Sequence, residues 1–428
     1  MFNRKYIFAI QIITLIFLVL FSLFEENYKL IFTYFFFFLI TLAIDLVNKN
    51  SNLNFFFNFY LIGSIILIVL NRLDHNTNWY SIDTEMFYNI SIGESVVGVY
   101  LSNIKWVGYF FLLNEFYTII AQFIDASVHF YHGILMNIFF SSFIPYFYQK
   151  HFKDKLSSKS LKKALIILLI LPQFLMFTST YLRDSFIMLF FAMLVYYINS
   201  KEIRDIKKIT LVILTLGLTF TFRPASSFFL LIYVFIHFHN SIKKRYLLTL
   251  VIILLGFYYY YGYNFRDFES TAEGYKALTN KEASDNSLGN RLYNINNLFV
   301  FPLKILYLIF SPIPPPILSK LSLRSFFLSL GYLASYYYII LYFTSLVKNL
   351  VFRIKDEGLT KDFIYLLVIS TIVILTSRDP RHLSYFYPLI FIRGIVFIEQ
   401  NKKFSKDLIF LLIGLILPIL IAGYITLK

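Results

Sequence analysis

The 428-residue chain has no cysteine, only 2 tryptophans, and charged side chains at just 15% of its positions. Without cysteine there is no disulfide framework, no thiol nucleophile and no thiolate metal site. So little charge cannot solvate a soluble protein of this length, and 58% of the residues are apolar. Runs such as Tyr6 to Phe24 and Leu30 to Val47 are long enough to cross ~30 Å of hydrocarbon. The formal charge of +15 lies mostly in short lysine-rich loops between apolar runs. That is the distribution of the positive-inside rule and not of a nucleic-acid-binding face. The composition implies an all-α, polytopic transmembrane helical bundle of about 12–14 spans, one integral membrane domain over residues 1–428.

Charge placement predicts a topology. Arg4 and Lys5 hold the amino-terminal end on the cytoplasmic side. The first span is followed at once by a second and lacks a small-residue cleavage site, so it reads as an anchor. The six lysines of Lys150 to Lys163 mark a cytoplasmic loop. Between Lys163 and Lys201 two apolar runs flank Leu182-Arg183-Asp184. Each arm is about 18–20 residues, one bilayer thickness at ~1.5 Å per residue, so the chain crosses, turns at Arg183-Asp184 and returns. Lys208 and Lys243 bound a second hairpin with Phe222-Arg223-Pro224 at its tip; Lys361 and Lys402 bound a third, with Arg378-Asp379-Pro380-Arg381-His382. The run before Arg223 is only about 14 residues, which sets that arginine slightly inside the membrane, where an uncompensated charge costs at least ~2.5 kcal/mol. Arginines on the lysine-poor side have no topological reason to be there, and a permanently charged planar fork matches phosphate oxygens. Anchoring at lipid headgroups is the alternative use of such residues.

The remaining polar stretches are predicted on the same outer side. Residues 71–126 read as an external loop followed by an interfacial or re-entrant helix. The loop carries Asp83-Thr84-Glu85, two carboxylates that converge on one ligand only from a loop or an extended segment. His129 and His132 share a helical face, but without a third ligand packing is a simpler role for them than metal binding. Pro172 interrupts the fifth span. Residues 263–297 form a large charged loop, including Arg291, that suits a lid over an outer cavity. Residues 298–324 contain Ser311-Pro312-Ile313-Pro314-Pro315-Pro316 and are predicted as a proline-broken re-entrant pair of half-helices.

In this order the pieces resemble bacterial oligosaccharide repeat-unit polymerases of the Wzy (O-antigen polymerase) type, and more widely the multi-span GT-C-like glycosyltransferases. The resemblance rests on an arrangement: the acidic loop at Asp83-Thr84-Glu85, an interfacial stretch around Gly108-Tyr109, and a span with Asn137. A proline-bearing span ending in Leu182-Arg183-Asp184 follows, and late in the chain comes Phe310-Ser311-Pro312-Ile313-Pro314, with the Arg378 region in support. The aromatic that usually follows the proline pair is replaced here by Pro315 and Pro316.

The resemblance implies transfer of a growing glycan from undecaprenyl pyrophosphate to a hydroxyl of the next lipid-linked repeat, as in O-antigen or capsular polysaccharide synthesis. It implies the periplasmic face of the bacterial inner membrane. The partners implied are the lipid-linked oligosaccharide, the bilayer and a chain-length regulator protein, with no cofactor. Arg183, Arg223, Arg378, Arg381 and Arg291 would hold the departing pyrophosphate. Asp83, Glu85 and His382 would orient and deprotonate the acceptor hydroxyl, and Asp184 and Asp379 would orient the arginines beside them. Two other readings use the same residues. A lipid-linked oligosaccharide flippase of the Wzx kind should place charges along a path through the spans. A GT-C enzyme using a polyprenyl-phosphate sugar would depend on Asp83 and Glu85, with room for a divalent metal there.

The topology is directly testable. A reporter fused after Ser185 should read as non-cytoplasmic, and a cytoplasmic signal there would sink the hairpin reading.

Overall fold

In hydrocarbon a chain must satisfy its own backbone, and apolar runs of this length do so as helices. The computed structural model describes residues 4–48, 52–73, 130–178, 183–238, 298–310, 323–351, 356–375 and 380–401, with isolated short pieces between 108 and 123 and between 292 and 295. Among these residues every regular element is helical. In chain order they are α1 (Arg4–Phe24), α2 (Lys29–Val47), α3 (Leu53–Leu73), α4 (Phe130–Ser141) and α5 (Phe143–Phe152). Then come α6 (Ser158–Ile170), α7 (Pro172–Thr178), α8 (Asp184–Asn199), α9 (Asp205–Phe222) and α10 (Pro224–Phe238). The last four are α11 (Phe301–Phe310), α12 (Leu323–Val351), α13 (Glu357–Leu375) and α14 (Tyr387–Gln400). Single 3-10 turns, Leu298–Val300 and Pro380–Leu383, precede α11 and α14.

Among the described residues α1, α2, Leu53–Leu70 of α3, and α13 are long and apolar enough to cross a membrane, while α8, α10 and α11 are apolar but shorter. The larger span count expected from sequence includes runs outside the described residues, among them Leu247 to Tyr261 and the segment after Asn401. Also outside them are Asp83, Glu85, Arg291, Arg378, Asp379 and the proline run 312–316.

Proline sets where helices stop. Pro172 cannot donate to Leu168, and the residue before a proline is pushed out of the helical region. Leu171 accordingly adopts φ −61° and ψ 118°, and the expected fifth span divides into α6 and α7. Pro145 leaves the Ser141 carbonyl without its helical donor, and the chain breaks at Ser142 between α4 and α5. Ser141 and Ser142 turn their hydroxyls back onto the carbonyls of Asn137 and Phe139, each at 2.6 Å, a pattern that bends helices.

At the centre is α8, with 12 of its 16 residues buried, packed against α4, α5, α9 and α10. At the edge, α1 and α2 turn Phe8, Leu20, Phe24, Phe32 and Leu39 outward. Such apolar faces are costly in water and at home in lipid. Close packing and hydrogen bonds join the helices to one another. Gly394 supplies close packing: a Cβ there would stand 2.9 Å from the Tyr338 carbonyl oxygen, so α14 lies almost backbone to backbone on α12. Asparagines supply the hydrogen bonds. Gln11 of α1 donates to Asn54 Oδ1 at 2.7 Å, Asn54 Nδ2 reaches Thr41 of α2 at 3.0 Å, and Tyr34 donates to Asn58 Oδ1 at 2.7 Å. Asp45 caps the start of α3 by accepting from the backbone N–H of Leu53 and Asn54 at 2.8 and 3.0 Å. His132 sits within the same group, its Nδ1 2.6 Å from Thr33 Oγ1.

Asn58→Leu keeps the volume but strands the Tyr34 hydroxyl in a site where that residue is 2% exposed. It should destabilise the protein by about 1–3 kcal/mol, and unfolding in detergent micelles reads the difference.

Candidate functional site at the arginine turns

Two turns predicted from sequence come together at one end of the bundle. The chain leaves α9 at Phe222 and starts α10 at Pro224, so Arg223 stands alone between two helices with φ −160° and ψ 96°. Proline dictates both facts: it extends the residue before it and serves well at the first helical position. The Arg223 backbone remains fully used, its N–H donating to Thr219 O at 2.7 Å and its carbonyl accepting from Ser226 and Ser227. Asp184 opens α8, and Arg183 precedes it as the N-cap. Asp184 lies at a helix N-terminus, the end that favours an acid.

The two turns are tied directly. Arg223 Nη1 donates to Asp184 Oδ1 at 2.9 Å, with both side chains under a tenth exposed. Beyond the expected association with Arg183, the Asp184 carboxylate forms an ion pair across to the next hairpin. The third arginine-bearing turn joins from the other side: Arg223 Nη2 lies 3.0 Å from His382 Nδ1, in the 3-10 turn that also contains Arg381. A guanidinium only donates, so Nδ1 must be a bare lone pair and the imidazole must carry its proton on Nε2. In this arrangement the Nδ1 lone pair of His382 is taken up by Arg223.

Aromatic side chains wall the ion pair. Phe186 and Phe222 pack at 5.0 Å, and Tyr109 lies 5.6 Å from Phe186 and 5.9 Å from Phe222. Tyr109 is fully buried within electrostatic reach of Arg183 and Asp184. Gly108 permits this approach, since a Cβ there would stand 2.3 Å from Thr221 Oγ1 and 2.8 Å from Thr221 Cβ. Gly108-Tyr109 therefore sits against the end of α9, one residue short of Arg223. Arg183, Asp184, Arg223, His382 and Tyr109 are thus drawn to one place, with Arg381 in the same turn as His382.

Comparison with family models, curated proteins and solved structures finds no match for this chain.

A second polar cluster lies at the opposite, lysine-rich end. Asp362 of α13, 1% exposed, accepts from Arg393 Nε and Nη2 of α14 at 3.0 and 2.8 Å through Oδ2. Its Oδ1 faces His237 Nε2 of α10 at 3.1 Å and the Tyr233 hydroxyl at 3.5 Å. Gly358 leaves room for the guanidinium, since a Cβ there would meet Arg393 Nη2 at 2.9 Å. The signal was present in the sequence: Asp362 falls on the helical face of Leu359, Tyr365, Leu366 and Ile369, all buried, so an acid stands inside an apolar stripe.

Around this end the loops are cross-linked by charge. Lys153 pairs with Glu202 at 2.5 Å, and Lys348 bonds to Asn401. Two lysines two residues apart titrate in opposite directions. The Glu202 hydrogen bond holds the Lys153 amine above the usual lysine range. Lys155 leaves much of its stem exposed, but its amine turns inward to His151 Nε2 at 3.1 Å. Burial first, then the nearby Arg393, brings it down to about 8. An amine-directed acylating reagent at pH 8 should therefore label Lys155 well ahead of Lys153; equal rates would refute this local field. Because the unfolded chain holds that proton more tightly, the Lys155 contribution to stability should improve as pH rises from about 8 toward 10.5.

Proposed function

We propose that this chain polymerises undecaprenyl-pyrophosphate-linked oligosaccharide repeat units, with the arginine turns as its pyrophosphate site on the periplasmic face of a bacterial inner membrane. The observation that carries this reading is a buried, pre-oriented guanidinium at the meeting point of three turns. Asp184 and His382 take one N–H each from Nη1 and Nη2 of Arg223. Among the described residues, Nε–H and the second hydrogen on each Nη meet no further acceptor, and these would address a phosphate. Arg183 stands beside them at the start of α8, and Arg381 in the turn of His382.

In this reading the acceptor hydroxyl of one lipid-linked repeat attacks the anomeric carbon of the growing glycan. The glycosidic bond forms as the bond to undecaprenyl pyrophosphate breaks, and the hydroxyl proton passes to a base. Charge then develops on the departing pyrophosphate, and donors already fixed in a water-poor site stabilise it without reorganising. Asp83 and Glu85, outside the described residues, are the bases proposed. His382 holds the Arg223 fork in plane. Arg291, Arg378 and Asp379 belong to the same proposal on sequence grounds alone.

A flippase remains the second reading because of one observation. Buried ionisable groups occur at both ends, and Tyr385, Tyr365 and Tyr233 lie between them, with the Tyr385 and Tyr365 hydroxyls 2.8 Å apart. Purified protein in sealed vesicles, given the lipid-linked repeat, separates the two. Lengthened glycan with released lipid pyrophosphate supports polymerisation; movement across the bilayer without lengthening transfers the assignment to transport.

At the residue level, Arg223→Lys keeps the charge and loses the fork. It should lower polymer yield at least ~10-fold at unchanged membrane abundance, close to the effect of Arg223→Ala, because each charge-assisted bond is worth about 1.5–3 kcal/mol. Full-length polymer from the lysine variant would reduce Arg223 to an interfacial anchor.

A further inference from the structure

Asp362 makes its bonds far from the arginine turns, yet to the same helices that form them. His237 is near the end of α10, whose start follows Arg223, and Arg393 is on α14, whose start follows His382. From Arg223 to His237 the chain climbs about 20 Å at ~1.5 Å per residue. So α10 and the α14 segment are joined twice, by Arg223 to His382 at one end and through the single carboxylate of Asp362 at the other. The space between is solid. Phe191 stacks on Tyr365, Tyr365 meets Tyr233 at 5.0 Å and Phe386 at 5.3 Å, and all four are essentially inaccessible. A close-packed interior has few intermediate arrangements and transmits displacement from one end to the other.

We infer that Asp362 is a positioning residue for the arginine turns: by holding His237 of α10 and Arg393 of α14 together, it sets the register that brings Arg223 onto His382. The phosphate part of this inference rests on the proposed function; the geometric part does not. The chemistry suits the task. Asp362 Oδ2 receives two N–H groups from one guanidinium, a directional contact, and Oδ1 receives the imidazole N–H, so one anion fixes two helices at defined angles. Carboxylate is required on both counts. An amide can keep one oxygen on Arg393, but it then presents an NH2 where the imidazole N–H needs an acceptor, and it leaves Arg393 without the negative charge.

The experiment uses the full chain in lipid nanodiscs. Its lack of cysteine allows spin labels at Phe228→Cys on α10 and Tyr387→Cys at the start of α14 without other changes. Inorganic pyrophosphate is the ligand probe. Asp362→Asn should broaden the label-to-label distance distribution and weaken pyrophosphate binding at least tenfold, while Asp362→Glu, which keeps the charge, recovers part of both. The double variant Asp362→Asn/Arg393→Gln removes the stray cation as well, and it carries the test if the single variant does not fold. If the carboxylate sets register, the double variant also shows the broad distribution and weak binding. If the double variant recovers the narrow distribution, Asp362 only neutralises Arg393 and the inference is overturned. A narrow distribution in Asp362→Asn overturns it too. Absence of pyrophosphate binding by the unaltered protein, with distances that still broaden in the variants, removes the phosphate reading and leaves the register role standing.

Discussion

A charge buried among apolar helices has to be matched by a specific partner, and the Arg223–Asp184 contact is where this constraint organises the chain. Neither residue could be buried alone; removing one partner of such a pair costs about 3–5 kcal/mol because the other is left uncompensated. The pair therefore obliges the α7–α8 turn and the α9–α10 turn to meet. Once they meet, Phe186, Phe222 and Tyr109 close around them, and Gly108 must lack a side chain for the packing to fit. His382 then completes the contact from a third turn. The ion pair and the His382 contact together thus join three segments at Arg223, with proline supplying the stop and restart there.

Much of this was legible in the residues, and the reason is local chemistry. Proline at position 224 announces both the end of α9 and the start of α10, and the chain turns there. Arg183-Asp184 between two apolar runs announces a reversal, and α8 begins at Asp184. Partner choice was not legible. Which arginine Asp184 takes depends on the relative height of two hairpins, and no periodicity in a uniformly apolar run encodes height. Asp362 escaped notice for a different reason. Beside Lys361 and near a basic loop it resembles a solvated boundary residue, and only its place on the stripe of Leu359, Tyr365 and Ile369 distinguishes it. His382 was legible as a titratable group near the arginines. What the residues did not announce is that its Nδ1 engages a group that can only donate.

The two charged clusters raise the question of what buried ions do that apolar packing would not. Stability alone is a poor answer, since replacing a buried ion pair with well-packed apolar residues is often neutral or stabilising. Geometry is a better one. Apolar contacts are non-directional and select one register over another only weakly, so uniformly apolar helix surfaces slide at little cost. Hydrogen-bonded ions do not slide. A guanidinium delivering two N–H groups to one oxygen is satisfied over a narrow range of angles, and Asp362 adds an imidazole to the same carboxylate. Placing such contacts at both ends of α10 and of the α14 segment defines translation and tilt together, which neither contact alone can do. The cost of burying these ions falls where register matters, around the Arg223 fork and at the far ends of the helices that carry it. Between α1, α2 and α3, neutral asparagine, threonine and tyrosine contacts carry most of the polar packing.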